Sequence, residues 1–312
     1  MLLLDKPPGI TSNTALMRVR RLFNAEKAGH TGTLDPLASG LLPVCFGEAT
    51  KFARFLLDAS KRYRVVVRFG VTTTTQDAEG DVVDTRPVTI GRGDVEAALS
   101  AFTGNIRQAP PAYSALKHQG RSHYEYARAG IDVPRSPRDV HIAELALVDW
   151  SAPLATLDVE CSKGTYVRTL AADLGAALRC GAHVAQLRRT AAGGFVIDDA
   201  ASFDFLEQAR PEARDDVLLP VDALLRTLPR VDVDSTGAAH LRQGRALPRI
   251  DVDSIGTAHL RQGRALASDG EAGELLRAYA PTGALLGVVR VSAGALLPVR
   301  MTSSALPHPG FG

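Results

Sequence analysis

Residues 61–69 carry the clearest strand pattern in the chain: Tyr63, Val65, Val67 and Phe69 fall on one face, and Arg62, Arg64, Val66 and Arg68 on the other. The same period of two predicts strands over 140–150 and 154–162, close enough in sequence to pair as antiparallel neighbours. Helical spacing takes over elsewhere. Leu16, Val19, Leu22 and Phe23 line one stripe behind a Thr11 or Ser12 cap, and a second helix is predicted from about residue 48 with Phe52, Phe55 and Leu56 turned inward. Further helices are predicted over 94–102, 122–129 and 166–178, with shorter strands at the opening Leu2-Leu3-Leu4 and over 41–46, 182–190 and 195–197. Between them lie an acidic, turn-rich connection at 72–84 and a basic, Pro-rich stretch at 107–120. A helical segment and a Pro-containing linker follow over 203–219. Antiparallel strands with intervening helices, without regular strand–helix–strand alternation, indicate an α+β fold.

The region beyond 229 is organised differently. Residues 229–247 (PRVDVDSTGAAHLRQGRAL) recur almost verbatim as 248–266, differing only at Val231/Ile250, Thr236/Ile255 and Ala238/Thr257. A solenoid needs about three repeats to enclose a core, so two near-identical copies read as a tandem duplication in which one copy fits the fold and the other is an insertion. Strands are expected at 284–291 and 297–301, followed by a tail at 303–312. The 312 residues thus divide into a domain at 1–225 and a smaller one at 229–302.

Composition alters this picture little: 45% hydrophobic and 22% charged residues are ordinary for a globular protein. Charge matters through its distribution. Residues 1–70 hold 11 Lys/Arg against 5 Asp/Glu, a local +6 within a chain of net +2, which suits a polyphosphate partner or, on charge alone, a solvated basic face. Cys45, Cys161 and Cys180 have neither disulfide-framework nor metal-ligand spacing, consistent with small buried side chains in a reducing cytoplasm. No apolar run reaches membrane-spanning length.

The strongest chemical signal is Gly29-His30-Thr31-Gly32-Thr33-Leu34-Asp35-Pro36-Leu37-Ala38-Ser39-Gly40. Pro36 restricts Asp35 to extended or turn geometry, and Leu34 and Leu37 pin the loop to a core. One carboxylate on a rigid loop is the arrangement a nucleophile or base requires, although an Asp-Pro pair alone also serves as a turn initiator. No phosphate-binding loop, dinucleotide glycine fingerprint or Cys/His cluster accompanies it.

Five other segments fall in order with this loop: Leu4-Asp5-Lys6-Pro7-Pro8-Gly9, Lys61-Arg62-Tyr63-Arg64, Tyr113-Ser114-Ala115-Leu116-Lys117, Cys161 to Arg168, and Gly181 to Arg189. In this set the chain resembles the bacterial tRNA pseudouridine-55 synthases of the TruB type over about its first 190 residues. The resemblance implies a pseudouridine-synthase catalytic domain with a mixed, largely antiparallel central sheet flanked by helices, and a small C-terminal PUA-like β domain at 229–302. It implies isomerisation of uridine 55 in the tRNA T-loop, with the base flipped out of the stack and no cofactor or metal. Asp35 matches the family's nucleophile or base. Arg168 matches its guanidinium partner, which opposes the effect of desolvation on the carboxylate. Tyr63 matches the tyrosine that stacks on the uracil and could help remove the C5 proton. Tyr166 and Leu187 match positions that hold the base, His30 one that fills the space vacated in the RNA, and Lys6 one near the site. The 72–84 and 104–139 segments are expected to grip the RNA arm, and Arg242/Arg261 and Gln243/Gln262 to contact phosphate or to be a solvated helix end. A monomer needing no protein partner is expected, as is a start upstream of Met1, since family members usually carry a polar leader there. Alternatives are a related isomerase acting on another RNA, a non-catalytic RNA-binding or tRNA-folding protein, and a glycosidase, which would usually need a second flanking carboxylate.

Overall fold

The computed structural model describes residues 1–114, 116–247, 273–292 and 294–306. The strands are β1 (Leu2–Lys6), β2 (Ala28–His30), β3 (Ser39–Phe46), β4 (Lys61–Phe69), β5 (Val71–Thr73), β6 (Val82–Thr85), β7 (Gly104–Gln108), β8 (Lys117–His118), β9 (Arg121–Ser122), β10 (Arg138–Ser151), β11 (Leu154–Cys161), β12 (Ala182–Ala192), β13 (Phe195–Val196), β14 (Ala201–Ser202), β15 (Arg230–Asp232), β16 (Leu275–Tyr279), β17 (Leu285–Ser292) and β18 (Ala295–Leu306). The helices are α1 (Ser12–Leu22), α2 (Ala53–Leu57), α3 (Arg92–Leu99), α4 (His123–Arg128), α5 (Val167–Ala177), α6 (Phe203–Gln208), α7 (Pro211–Asp215) and α8 (Ser235–Arg242).

A ten-stranded sheet dominates, ordered β14-β1-β3-β12-β4-β11-β10-β7, with β2 added to β3 and β13 to β12. Only the β1–β14 and β3–β12 pairings are parallel; the rest are antiparallel, as the α+β reading requires. The alternation seen in β4 is realised: Val65, Val67 and Phe69 are buried while Arg62, Arg64 and Arg68 are exposed. On the exposed face Arg64 is paired with Asp158 on β11, and Arg62 with Glu160. Helix α1 begins where Thr11 Oγ1 accepts from Thr14 N at 3.0 Å, and it buries Ala15, Leu16 and Val19 against the sheet. Gly40 allows β3 to meet β12. Its φ of +103° lies in the region only glycine enters without strain, and a Cβ there would come within 2.3 Å of Arg189 O.

Two expectations change. The segment predicted as a helix from residue 48 is a 3₁₀ turn at Gly47–Lys51, and α2 is only five residues long; Phe52 and Leu56 are buried but Phe55 only half so. The 72–84 connection holds a β-hairpin, β5–β6, whose tip folds back on the main sheet: Ala78 N donates to Val184 O, and Val184 N to Gln76 O.

The described part of the C-terminal region builds a separate four-stranded sheet, β15-β16-β17-β18, with α8 packed on β18 and β17. The first copy of the duplicated segment supplies β15 and α8, so it occupies a native-like place; the second copy, 248–266, lies outside the described residues. Val231, Ala238, Leu241, Leu276, Leu286 and Val289 form this sheet's own core. Another hydrophobic cluster joins the two sheets: Met1, Leu3, Leu41 and Phe52 pack with Tyr279, Leu285 and Val288. Tyr279 Oη donates to Asp222 Oδ2 at 2.9 Å across the same boundary.

Candidate active site

The Asp35 loop is held from beneath. Gly9 N donates to Pro36 O at 2.8 Å. Ser12 Oγ accepts from Leu34 N at 2.7 Å and donates to Leu34 O at 2.9 Å. Lys6, fully buried, sends Nζ to Ile10 O at 2.7 Å, Pro7 O at 2.9 Å and Pro36 O at 3.5 Å. Burial pushes the Lys6 amine down to about 8, opposed by the nearby Asp35 and Glu79 carboxylates. Lys6 therefore fixes loop carbonyls behind the site and does not line the cleft.

Opposite the loop, the start of α5 is fixed by Gln108 on β7, whose side chain accepts from Tyr166 N at 2.7 Å and donates to Tyr166 O at 3.0 Å. Arg168, two residues on, is 3% exposed, and its Nε lies 2.8 Å from Asp35 Oδ2. The approach is off the N–H direction, making this an ion pair and not an aligned hydrogen bond. Its other nitrogens donate to Thr75 O at 3.0 Å and Tyr113 O at 2.8 Å. Asp77 approaches the same Nε at 3.7 Å from the buried side. One guanidinium thus serves two carboxylates, which lowers the cost of removing either from water. Asp35 keeps 24% side-chain exposure, enough for a ligand to reach it, and Tyr124 Oη donates to its Oδ1 at 3.2 Å. Burial and the Asp35 charge push the Tyr124 phenol up to about 12, so it stays a donor.

Asp35 and Arg168 stand in a cleft of about 330 Å³ whose lining includes Tyr63, Leu187, Tyr166, Arg189 and Lys61. That volume is in the range of small-ligand pockets, at the lower end suited to one nucleoside. Tyr63 and Arg189 face each other across β4 and β12, with Leu187 two residues earlier on the same strand, so one sheet face forms the floor. Burial raises the Tyr63 phenol, and the adjacent Arg189 guanidinium opposes that shift. Arg138 on β10 stacks over the Tyr166 ring at 4.9 Å from its centroid.

Five of the seven residues singled out in the sequence, Asp35, Tyr63, Arg168, Tyr166 and Leu187, converge on this cleft. Lys6 supports it from behind, and His30 ends β2 outside the lining, half-buried, with its ring pushed toward neutrality by burial and by Arg189. Sequence reasoning missed Asp77, Tyr124, Gln108 and Arg189. Asp77 sat within a segment that reads as a polar turn. Arg189 carried the usable signal, an arginine on the inward face of a buried strand. Asp77 does not line the cleft, and among the described residues that do, Asp35 is the only carboxylate, unlike the flanking pair a glycosidase usually needs. No group of His, Cys, Asp and Glu among the described residues has metal-binding arrangement, and no described helix is long and apolar enough to cross a membrane.

Residues 20–167 match the TruB family pseudouridylate synthase N-terminal domain, and residues 168–226 the tRNA pseudouridylate synthase B C-terminal domain. A tRNA pseudouridine synthase B of Thiobacillus denitrificans is 52% identical over 304 residues, covering 97% of this chain and 96% of that protein. A Burkholderia mallei protein of the same name is 52% identical over 301 residues, covering 96% of each. Among solved structures, a chain of a Cbf5–Nop10–Gar1 complex superposes with a TM-score of 0.70 at 23% identity, covering 98% of this chain and 86% of its own. A chain of an H/ACA ribonucleoprotein bound to a substrate RNA gives 0.69 at 21%, covering the same shares. At those identities the likeness is one of fold.

Proposed function

The chain belongs to the TruB family of pseudouridylate synthases, and from that premise we propose that it isomerises uridine 55 in the T-loop of tRNA to pseudouridine. The observation that carries the proposal is the Asp35–Arg168 pair at the wall of a nucleoside-sized cleft floored by Tyr63 and Leu187. The target nucleotide is flipped into this cleft at a cost of a few kcal/mol. Tyr63 and Leu187 hold the base, Tyr166 closes the side, and Asp35 acts on the sugar or the base as a nucleophile or proton acceptor. The N1–C1′ bond breaks, the uracil turns, a C5–C1′ bond forms, and the C5 proton leaves while N1 gains one. Tyr63 assists the last step.

His30, at the cleft's flank, fills the space the flipped base leaves in the RNA, as a flat ring suits stacking. The 72–84 and 104–139 segments grip the T-arm. Residues 229–302 act as a PUA-like RNA-binding unit, with the exposed Arg242 and Gln243 at the end of α8 toward phosphate. The protein works as a cytoplasmic monomer on tRNA without a required protein partner. An intact Asp35, Tyr63 and Arg168 set favours catalysis over RNA binding alone.

The test is Asp35→Asn assayed on a T-arm stem-loop. RNA affinity stays within a few-fold of the wild type while pseudouridine formation, mapped by position, is lost. Product from that variant at a measurable fraction of the wild-type rate would remove Asp35 from the chemistry.

A further inference from the structure

Arg189 and Lys61 are buried cations in the cleft that the roles above leave unused, 1% and 7% exposed. Arg189 donates from Nε to Leu41 O at 2.7 Å and from Nη2 to Gly32 O at 3.1 Å. Lys61 donates to Leu57 O at 2.6 Å and Ala59 O at 2.5 Å. Neither has a carboxylate within ion-pair distance among the described residues; Asp35 and Asp77 are committed to Arg168, and Asp58, which favours the Lys61 cation from farther off, is paired with Lys163. Carbonyls satisfy the N–H groups but do not neutralise the charge, and an uncompensated buried cation is costly. The two also repel: burial first, then Arg189, pushes the Lys61 amine down to about 8. Such a cost is expected where an anion arrives with the ligand.

The position of Arg189 says which anion. It stands across the strand from Tyr63 and two residues from Leu187, in the floor where the base rests and not at a rim where phosphates pass. Resting on the isomerisation proposed above, we propose that Arg189 is a catalytic residue that stabilises the detached uracil anion, with Lys61 adding to the same field. When the N1–C1′ bond breaks, its electron pair stays on N1 and spreads to O2 and O4. A guanidinium fixed beforehand in a low-dielectric floor meets that charge without reorganising. C1′ is left electron-poor or as its ester with Asp35; the anion then bonds through C5 to C1′, quenching that cation or releasing the Asp35 carboxylate, and its charge is consumed.

The experiment compares Arg189→Met and Arg189→Lys on stem-loops carrying uridine or 5-fluorouridine, reading single-turnover loss of the N1–C1′ bond together with RNA affinity and melting temperature. Fluorine stabilises the uracil anion on its own and leaves no C5 proton to remove, which separates this role from any service to Tyr63. Arg189→Met is expected to slow uridine on the order of 100-fold but 5-fluorouridine by about tenfold or less, while Arg189→Lys recovers most of the loss. Equal slowing of both substrates, or none, would overturn the assignment. Should Arg189→Met not fold, the wild type decides: 5-nitrouracil, anionic at neutral pH, binds at least about tenfold tighter than uracil, a preference that disappears once acid protonates it. Equal affinities at neutral pH would overturn the proposal. A wild type that binds the anion yet forms no pseudouridine would instead reject the proposed reaction.

Discussion

Lys6 shows how much of the site is built from groups that never meet a ligand. Its amine is enclosed behind the Asp35 loop, and burial lowers it from 10.5 to about 8. The folded protein therefore holds fewer protons at Lys6 than the unfolded chain between about pH 8 and 10.5, and stability from this group rises with pH across that window. Below about pH 8 the penalty is fully present; above 10.5 it is gone. Lys6→Met lacks the titration, so the wild type should gain stability relative to the variant between pH 8 and 10.5 in parallel denaturant titrations. A constant difference across that window would mean that the amine is solvated. At this scale the sequence showed the reactive groups better than their supports. Asp35, Arg168 and Tyr63 stand in motifs of unusual composition. Gln108, Tyr124 and Asp77 reach the site from segments that read as a basic, Pro-rich stretch, a short helix and a polar turn, and only the tertiary fold brings them there.

At the level of elements, strongly periodic segments were legible and short ones were not. The alternation in β4, β10 and β11 showed their type, because one face must be buried, and the short gap between β10 and β11 showed their antiparallel pairing; that β4 lies beside β11 was not legible. The β5–β6 hairpin was hidden because its strands are short and its exposed Val82 and Val83 give no core-facing signal. The β3–β12 crossing was also invisible, since parallel pairing of distant strands leaves no local trace. Its requirement for Gly40 is testable. Gly40→Ala adds a Cβ against the Arg189 backbone at a positive φ, and should cost about 3 kcal/mol or more by chemical denaturation. Gly9→Ala is the control: it shares a positive φ but meets no atom within 4 Å, so it carries the conformational strain alone. Equal losses in the two variants would show that contact with Arg189 is irrelevant.

For the molecule as a whole, the duplication was legible as an anomaly, but which copy belongs to the fold was not, because the copies are nearly identical. In the structure residues 229–247 provide β15 and α8, completing a four-stranded sheet. Deleting 248–266 should therefore leave soluble yield and pseudouridine formation within about twofold of the parent, because the first copy already supplies β15 and α8. Collapse of soluble expression would mean that the second copy carries the structure. Finally, the cluster of Met1, Leu3, Leu41 and Phe52 with Tyr279, Leu285 and Val288 belongs to both sheets at once. Leu3 and Leu41 lie on β1 and β3, the strands from which the Asp35 loop is hung. A genetic screen for slow alleles should consequently recover lesions in β16 and β17, remote from the chemistry, because a dent at one end of this seam is transmitted to the other.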